Sequence, residues 1–406
     1  MRFLYTLVLR LALPLILLRL WWRGRREPGY REHVPERFGI YSQDTPGQAL
    51  WVHAVSVGEA RAAAPLVRAL KAALPGHTLV MTCTTAAGRE TLKQVYGETV
   101  LAAFLPYDYP ESVQGFLERF RPRLGVLMET ELWPNLLAGC TSRGVPVVLA
   151  NARMSEKSAR GYQRWRALAA PAIRSLAAVC AQSEADAARL RALGATRVQV
   201  TGNLKFDVAL DAVQLAAGRE WKAKVGRPVL LLASTRDGEE KLLLDQLRDK
   251  PFLTVVVPRH PQRFDEVADL SDSRRSRRPI PASDERIHLG DSMGEMAFYY
   301  AACDVAVIGG SFLPLGGQNL IEALAAGAPV VVGPSMYNFT EATRLALEAG
   351  AAIQASDAAA AISQAVGLLS NSGERARMAQ AGKTLCEAHR GATQKHIEVL
   401  KALVRG

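Results

Sequence analysis

The sequence predicts an α/β protein built from two doubly wound parallel sheets, and three observations carry that expectation. Short apolar runs alternate with helical patterns from residue 50 onward, the alternation breaks once and restarts, and 406 residues suit two cores of about 150–200 residues each better than one. In the first half the runs are LWVHAVSV, HTLVMTCTT, LAAFLPYD, RLGVLMETE, VPVVLANAR, LAAVCAQS and RVQVTGNLKF, with helical stretches such as AARLRALG between them. Continuous apolar runs rich in β-branched residues are what strands buried on both faces look like, and helices between them supply the crossovers of a parallel sheet. A polar stretch, DVALDAVQLAAGREWKAKVGRP, interrupts the alternation. It resumes with PVLLLAST, FLTVVVPRH, RIHLGD, DVAVIGGS and APVVVGPS. The expected organisation is an anchor segment over 1–29, a first domain over 30–208, a linker over 209–225, a second domain over 226–390 and a closing helix over 391–406. In sheets of this kind ligands bind beyond the carboxyl ends of the strands.

The first 32 residues set themselves apart. They hold seven arginines (2, 10, 19, 23, 25, 26 and 31) against two glutamates, and RFLYTLVLRLALPLILLRLWWRGRR joins apolar runs to two tryptophans and an arginine cluster. That is the profile of a membrane-interface anchor, with the arginines placing the body of the protein on the cytoplasmic side. Arg10, Arg19 and Pro14 interrupt it as a spanning helix, and Trp21-Trp22-Arg23 is a poor cleavage site. A buried amphipathic helix is the alternative. Elsewhere Cys83, Cys140, Cys180, Cys303 and Cys386 are widely spaced, without metal-ligand spacing, and read as small core residues in a reducing compartment. Of the net charge of +11, residues 1–32 carry +5, a local basic footprint. The aromatics of residues 152–166 do not alternate with the basics as the base-stacking groove of a nucleic-acid binder would need, which weighs against nucleic acid as the partner. SDSRRSRRP (271–279) reads as an exposed basic loop.

Several acidic or basic positions stand at strand ends in the first half. Glu59 closes SVGE, where an extended run gives way to a helix. Taken alone it reads as a carboxylate stabilised by helix amides, whose dipole would depress its pKa and keep it ionised. A positioned carboxylate there could equally accept a proton from an attacking hydroxyl. Glu129 and Glu131 in METELWPN lie two apart, so an extended backbone sends both to one face. Lys205 in VTGNLKFD reads alone as a surface charge or a partner of Asp207. In the second half, IGGSFLPLGGQNLIEALAAGAPVVVGP (308–334) joins a strand to a glycine-rich loop, a helix expected from Gln318 and another strand. Gly309, Gly310, Gly316 and Gly317 would let the backbone approach an anion, with helix-start amides pointing at it and Glu322 within reach of ribose hydroxyls.

The layout GGxNxxEAxAxGxPVxxGP resembles the donor domain of GT-B glycosyltransferases, whose two Rossmann-like domains face a cleft. More narrowly, HAVSVGE, METELWPN, ANARMSEKSARGY, VTGNLKFD, PRHPQRF and LGDSMGEM are together similar to the 3-deoxy-D-manno-octulosonic acid (Kdo) transferases of lipopolysaccharide synthesis. The resemblance runs from the anchor to the final helices. It implies a metal-independent, inverting enzyme without cofactor that moves Kdo from CMP-Kdo to a lipid A precursor (lipid IVA) at the cytoplasmic face of the inner membrane. It assigns Glu59 as general base, Glu129 and Lys205 as transition-state stabilisers, and Pro258, Arg259, Met293, Gly294, Glu295, Asn319, Leu320, Ile321 and Glu322 as CMP-binding positions. Gln318 departs from the histidine expected in many members, and Glu131, without a role in the resemblance, is expected to fix local structure through the loop that Trp133-Pro134-Asn135 begins. Arg153, Lys157, Arg160, Arg164 and Arg166 in ARMSEKSARGYQRWR would suit the phosphates of the lipid acceptor, or form a solvated basic helix face. Two other functions fit a chain of this architecture: a sugar-nucleotide epimerase, and a non-catalytic membrane protein that senses a nucleotide.

Overall fold

A computed structural model describes the chain except residues 43–47, 208, 248, 249 and 406 and the side chains of Arg26 and Arg405. The expected domain boundary at 208 and the charge of Arg26 therefore lie outside the described residues. The chain forms two compact units, residues 1–207 with 390–406, and residues 208–389.

Among the described residues the first unit has seven parallel strands: β1 Ala49–His53, β2 Thr78–Cys83, β3 Leu101–Phe104, β4 Pro122–Met128, β5 Val147–Ala152, β6 Ala178–Ala181 and β7 Val198–Val200. Their order is β3-β2-β1-β4-β5-β6-β7, so the winding reverses between β1 and β4. The second unit repeats the design with β8 Val229–Thr235, β9 Leu253–Pro258, β10 Ser273–Arg274, β11 Ile287–Leu289, β12 Val305–Ile308, β13 Val330–Val332 and β14 Ala352–Gln354. Here the order is β10-β11-β9-β8-β12-β13-β14, reversing between β8 and β12. All the described pairings are parallel. At each reversal the crossovers leave to opposite sides and open a crevice at the strand ends. The expected two-sheet architecture is present, and every apolar run read as a strand forms one.

Two strands escape the sequence pattern. One is β14; the other is β10, which lies inside the arginine-rich stretch expected as an exposed loop. The first half of that stretch corrects the expectation, with a short strand and ion pairs. Arg274 holds Asp291 at 2.7 Å and Asp265 at 2.9 Å, Arg275 holds Glu295 at 2.6 Å, and Arg278 holds Glu285 at 2.5 Å. Arg274, Arg275 and Arg278 are thus paired within their own unit, while residues 276–279 are exposed as expected.

Residues 209–225, expected as a linker, contribute a helix over Ala212–Val225 capped by the Asp211 carboxylate, which accepts from the N–H of Val213 and Gln214. It packs tightly on the helix Met296–Ala302. Gly218 leaves room for Phe298 O, with which a Cβ would collide, while Trp221 packs edge-on to Phe298 and donates to Pro279 O. The closing helix Ala392–Arg405 belongs to the first unit, where Ile397, Leu400 and Val404 join a core with Leu50, Val52 and Leu124.

The N-terminal helix, Arg2–Arg26, is long and apolar enough over Arg2–Arg25 to cross a membrane by length and composition. Leu11, Leu15, Leu18, Trp21 and Trp22 are exposed along it. A few polar contacts tie it to its unit: Asn135 Nδ2 donates to Thr6 Oγ1 at 2.9 Å, Tyr109 Oη to Leu9 O at 2.8 Å, and Arg10 pairs with Glu111 at 3.1 Å. Cys83, Cys140, Cys180 and Cys386 are buried, Cys303 is half-buried, and all five are free.

Candidate active site

Glu59 follows β1, on one side of the first reversal. Ser56 caps the helix Val57–Ala62, its Oγ accepting from Glu59 N at 3.3 Å and donating back to Glu59 Oε1 at 3.1 Å. Oε2 accepts the N–H of Val55 at 2.8 Å. This is close to a capping box, with the glutamate reaching one residue further back than usual. A capped carboxylate of this kind should be ionised at low pH, and that expectation is corrected. Burial first, and the nearby Glu129 carboxylate second, outweigh the two hydrogen bonds and Lys205 and raise the Glu59 pKa from 4.5 to about 7.

Glu129 follows β4, on the other side of the reversal. It lies past the end of the strand with φ of 59°, in the left-handed region that costs a side-chain-bearing residue about 1–3 kcal/mol. Its N–H donates to Ala150 O at 2.9 Å. The expected strand pleat is therefore absent from Glu129 onward. A turn, not alternation, sends Glu131 toward the same group, where Trp133 Nε1 donates to its Oε2 at 3.0 Å. Burial and the Glu59 carboxylate raise the Glu131 pKa to about 7 as well. Glu59 and Glu131 thus both titrate near neutrality, where interacting carboxyls hold less than a full charge apiece.

Lys205 stands on a one-turn 3₁₀ helix, Leu204–Phe206, capped by Asn203, whose Oδ1 accepts the Lys205 N–H at 3.0 Å. Its Nζ lies 3.6 Å from Glu129 Oε1, and both side chains remain about a quarter exposed, at 23% and 25%. Glu59, Glu129, Glu131 and Lys205 thus converge where the first sheet reverses: a carboxyl poised to exchange a proton at neutral pH beside a fixed cation. Lys157, Arg160, Arg164 and Arg166 are exposed on and just beyond the helix Glu156–Arg164, and Arg153 is half-buried.

In the second unit, β8 and β12 approach so closely that a Cβ on Gly309 would meet Ser234 O and Thr235 Cα at 2.6 Å, which only glycine permits. The loop that follows differs from expectation. The N–H groups of Gly317 and Gln318 bond back to Gly310 O and Gly309 O, and the helix begins at Ile321, three residues after Gln318. The N–H groups of Gly310 and Phe312 go to the carboxylate of Glu239, at 2.5 and 3.0 Å, and that carboxylate also takes Arg236 N at 2.9 Å. Of the loop's four glycines only Gly310 thus meets the protein's own buried carboxylate; Gly309 N goes to Ala233 O and Gly316 N to Ser335 Oγ. Sequence reasoning misses Glu239 and its neighbour Glu240, which holds Arg263 at 2.5 Å. The signal is DGEE after β8, which repeats the Gly-Glu pattern of SVGE after β1. Glu239→Ala would leave three N–H groups unpaired, and is expected to destabilise the protein by about 3 kcal/mol or more, read as a shift of the denaturant midpoint.

The predicted nucleotide positions fall into two groups. Arg259 follows Pro258 at the end of β9, its N–H bonded to Thr235 O at 2.9 Å. Arg259 and Glu322 both act on the buried Tyr300, whose hydroxyl is held well above its ordinary pKa by burial first and Glu322 second. Tyr300 Oη donates to Asn319 O at 3.4 Å, Asn319 Nδ2 to Glu322 Oε1 at 2.8 Å, and Asn319 Oδ1 takes Ile321 N. Arg259, Asn319 and Glu322 are therefore one constellation around Tyr300. Leu320 and Ile321 have fully buried side chains, so these two can meet a ligand through backbone only. Met293, Gly294 and Glu295 precede the helix that carries Tyr300; Gly294 has φ of 78°, and Glu295 is held by Arg275, whose guanidinium lies 3.8 Å above Phe298. Among the described residues no group of three or more His, Cys, Asp or Glu is arranged to hold a metal ion.

Residues 32–208 match the family described as 3-deoxy-D-manno-octulosonic-acid transferase (kdotransferase). The chain is 45% identical to the 3-deoxy-D-manno-octulosonic acid transferase of Bordetella pertussis and 36% identical to that of Haemophilus influenzae, in each case over 98% of both proteins. The UDP-GlcNAc 2-epimerase from Neisseria meningitidis bound to UDP-GlcNAc shares the two-sheet architecture, with a TM-score of 0.57 over 88% of this chain and 100% of that one; at 16% identity the likeness is one of fold. The acidic cluster with its lysine and the two reversing sheets thus sit in a chain that aligns end to end with named transferases, and it belongs to the 3-deoxy-D-manno-octulosonic acid transferase family, glycosyltransferases of the GT-B fold.

Proposed function

We propose that this enzyme transfers Kdo from CMP-Kdo to a lipid A precursor, lipid IVA, with inversion at the anomeric carbon and without a metal ion. The observation that carries the reading is the Glu59 carboxyl, its pKa raised to about 7, in a cluster that also holds Lys205 and Glu129. Residues of the first unit bind the acceptor. The acceptor hydroxyl attacks the anomeric carbon, its oxygen forms the new bond, its proton passes to Glu59, and the bond to the CMP phosphate breaks with its electron pair leaving on CMP. Lys205 and Glu129 stabilise the charge that moves between sugar and phosphate. In the second unit, Arg259 pairs with an anionic group of the donor, while Asn319 and Glu322 face its ribose and Met293, Gly294 and Glu295 supply backbone and side-chain contacts to CMP.

The N-terminal helix holds the enzyme at the cytoplasmic face of the inner membrane, where the basic side chains of residues 153–166 meet acceptor phosphates. Incubating the purified protein with CMP-Kdo and tetra-acylated lipid A precursor is expected to yield a Kdo-modified lipid and free CMP in equal amounts, with the anomeric configuration inverted by NMR. Turnover of CMP-Kdo without lipid would favour the epimerase, and binding of CMP with no release would favour the sensor.

A further inference from the structure

The chain passes from one unit to the other between 207 and 208 and returns between 389 and 390. Immediately after the return, the helix Ala392–Arg405 packs on the first unit and sends the side chain of His396 into its core, fully buried. Nδ1 lies 2.7 Å from Ala392 O, and Nε2 accepts the backbone N–H of Asn151 at 2.9 Å. A carbonyl oxygen only accepts and a backbone N–H only donates, so Nδ1 carries the proton and the ring is neutral. Burial, which holds the His396 pKa down to about 4, agrees with that tautomer.

Asn151 is an unusual residue to find at the other end of this bond. It has φ of 52°, and the β5–β6 register breaks between Leu149 and Ala152 around it. Two lines of hydrogen bonds leave it for the turn that carries Lys205. In the first, Asn151 Oδ1 accepts Leu204 N at 3.0 Å. In the second, Gln182 Nε2 donates to Asn151 O at 2.9 Å, Asn203 Nδ2 donates to Gln182 Oε1 at 3.0 Å, and Asn203 Oδ1 accepts Lys205 N. Asp207, two residues past Lys205, accepts from Gly391 N at 2.7 Å and Thr393 N at 2.5 Å at the start of the same closing helix. The turn is clamped to that helix from both sides.

We propose that His396 is a positioning residue for Lys205: by accepting the N–H of Asn151 it fixes the bulge from which the Leu204–Phe206 turn hangs, and so sets the ammonium against Glu129. The inference rests on the reading of Lys205 as the cation of the transfer reaction.

Steady-state transfer by the full-length protein, with CMP-Kdo and lipid A precursor, tests it. His396→Leu deletes the acceptor, His396→Gln offers an amide oxygen near the position of Nε2, and Asn151→Gly suits the positive φ while deleting the acceptor of Leu204 N. His396→Leu and Asn151→Gly are each expected to lose about 10²-fold in kcat with the donor KM unchanged, since a small misplacement of a reacting group has that order of cost. His396→Gln recovers most of the rate, and neither loss is added when combined with Lys205→Met. Should His396→Leu fail to fold, Asn151→Gly and His396→Gln carry the same comparison. A wild-type kcat in folded Asn151→Gly or His396→Leu, or losses that multiply with Lys205→Met, overturns the inference while Lys205→Met remains slow. A wild-type rate in Lys205→Met itself overturns the reading of Lys205 and the inference with it.

Discussion

Replacing Glu59 by alanine is expected to lower kcat for Kdo transfer by about 10²–10⁴-fold, the usual contribution of a positioned general base. The effect belongs in kcat, because the proton moves only as the glycosidic bond forms, and the donor KM should change little. Glutamine is the more informative replacement, since it keeps the shape, its amide oxygen can still accept from Val55 N, and its amide N–H can donate to Ser56 Oγ. It should be as slow as alanine while folding as well as the wild type or better. The sign follows from the raised pKa. A carboxyl whose pKa is about 7 in the folded protein and 4.5 ordinarily contributes stability that is complete below 4.5 and is lost as pH rises through 7. Glu59→Gln escapes that loss. Its Tm should therefore exceed the wild type's at pH 8 and approach it at pH 5, as expected of a site kept at some cost to stability.

Lys205→Met is expected to cost about 10²–10³-fold in kcat, comparable with removing one preorganised group that stabilises transition-state charge. Arginine should not restore it, because a planar guanidinium does not place a compact charge where the ammonium lies 3.6 Å from Glu129. The substitution has a second consequence that separates electrostatics from simple misfolding. Lys205 lowers the Glu59 pKa and Glu129 raises it. The residual activity of Lys205→Met should accordingly rise with pH at a higher value than in the wild type, and that of Glu129→Gln at a lower one. Opposite displacements from two neighbours of one carboxyl would not arise from loosened packing.

The architecture is legible because parallel strands covered on both faces must be apolar throughout, and runs such as RLGVLM and PVVLANA leave little choice of state. What escapes are β10 and β14, strands of two and three residues. In β10 the arginines conceal the strand because their partners, Asp291, Asp265 and Glu295, come from elsewhere in the unit. Glu59 and Glu129 can be singled out as acids past strand ends. Their adjacency cannot be read from spacing, because it depends on β1 and β4 being neighbours in the sheet. For the same reason the sequence misleads on the Glu59 pKa: the helix start is local and visible, whereas the burial and the second carboxylate come from distant chain. The glycine-rich loop produces the opposite error. Its glycines suggest an open cradle, yet Glu239, 71 residues before Gly310, already takes the Gly310 N–H, and the other glycine amides bond within the unit. His396 and Asn151, 245 residues apart, leave no periodic signal in either segment.

The pH dependence of single-turnover Kdo transfer from CMP-Kdo to lipid A precursor, measured between pH 5.5 and 9 for the wild type and Glu59→Gln, bears most directly on the claim that Glu59 takes the proton. The wild-type rate should climb about tenfold per pH unit and level off above a pH near 7, while Glu59→Gln stays slow and flat. A Glu59→Gln enzyme that transfers Kdo at the wild-type rate, or that is slower by one factor at every pH with the same inflection, would contradict it.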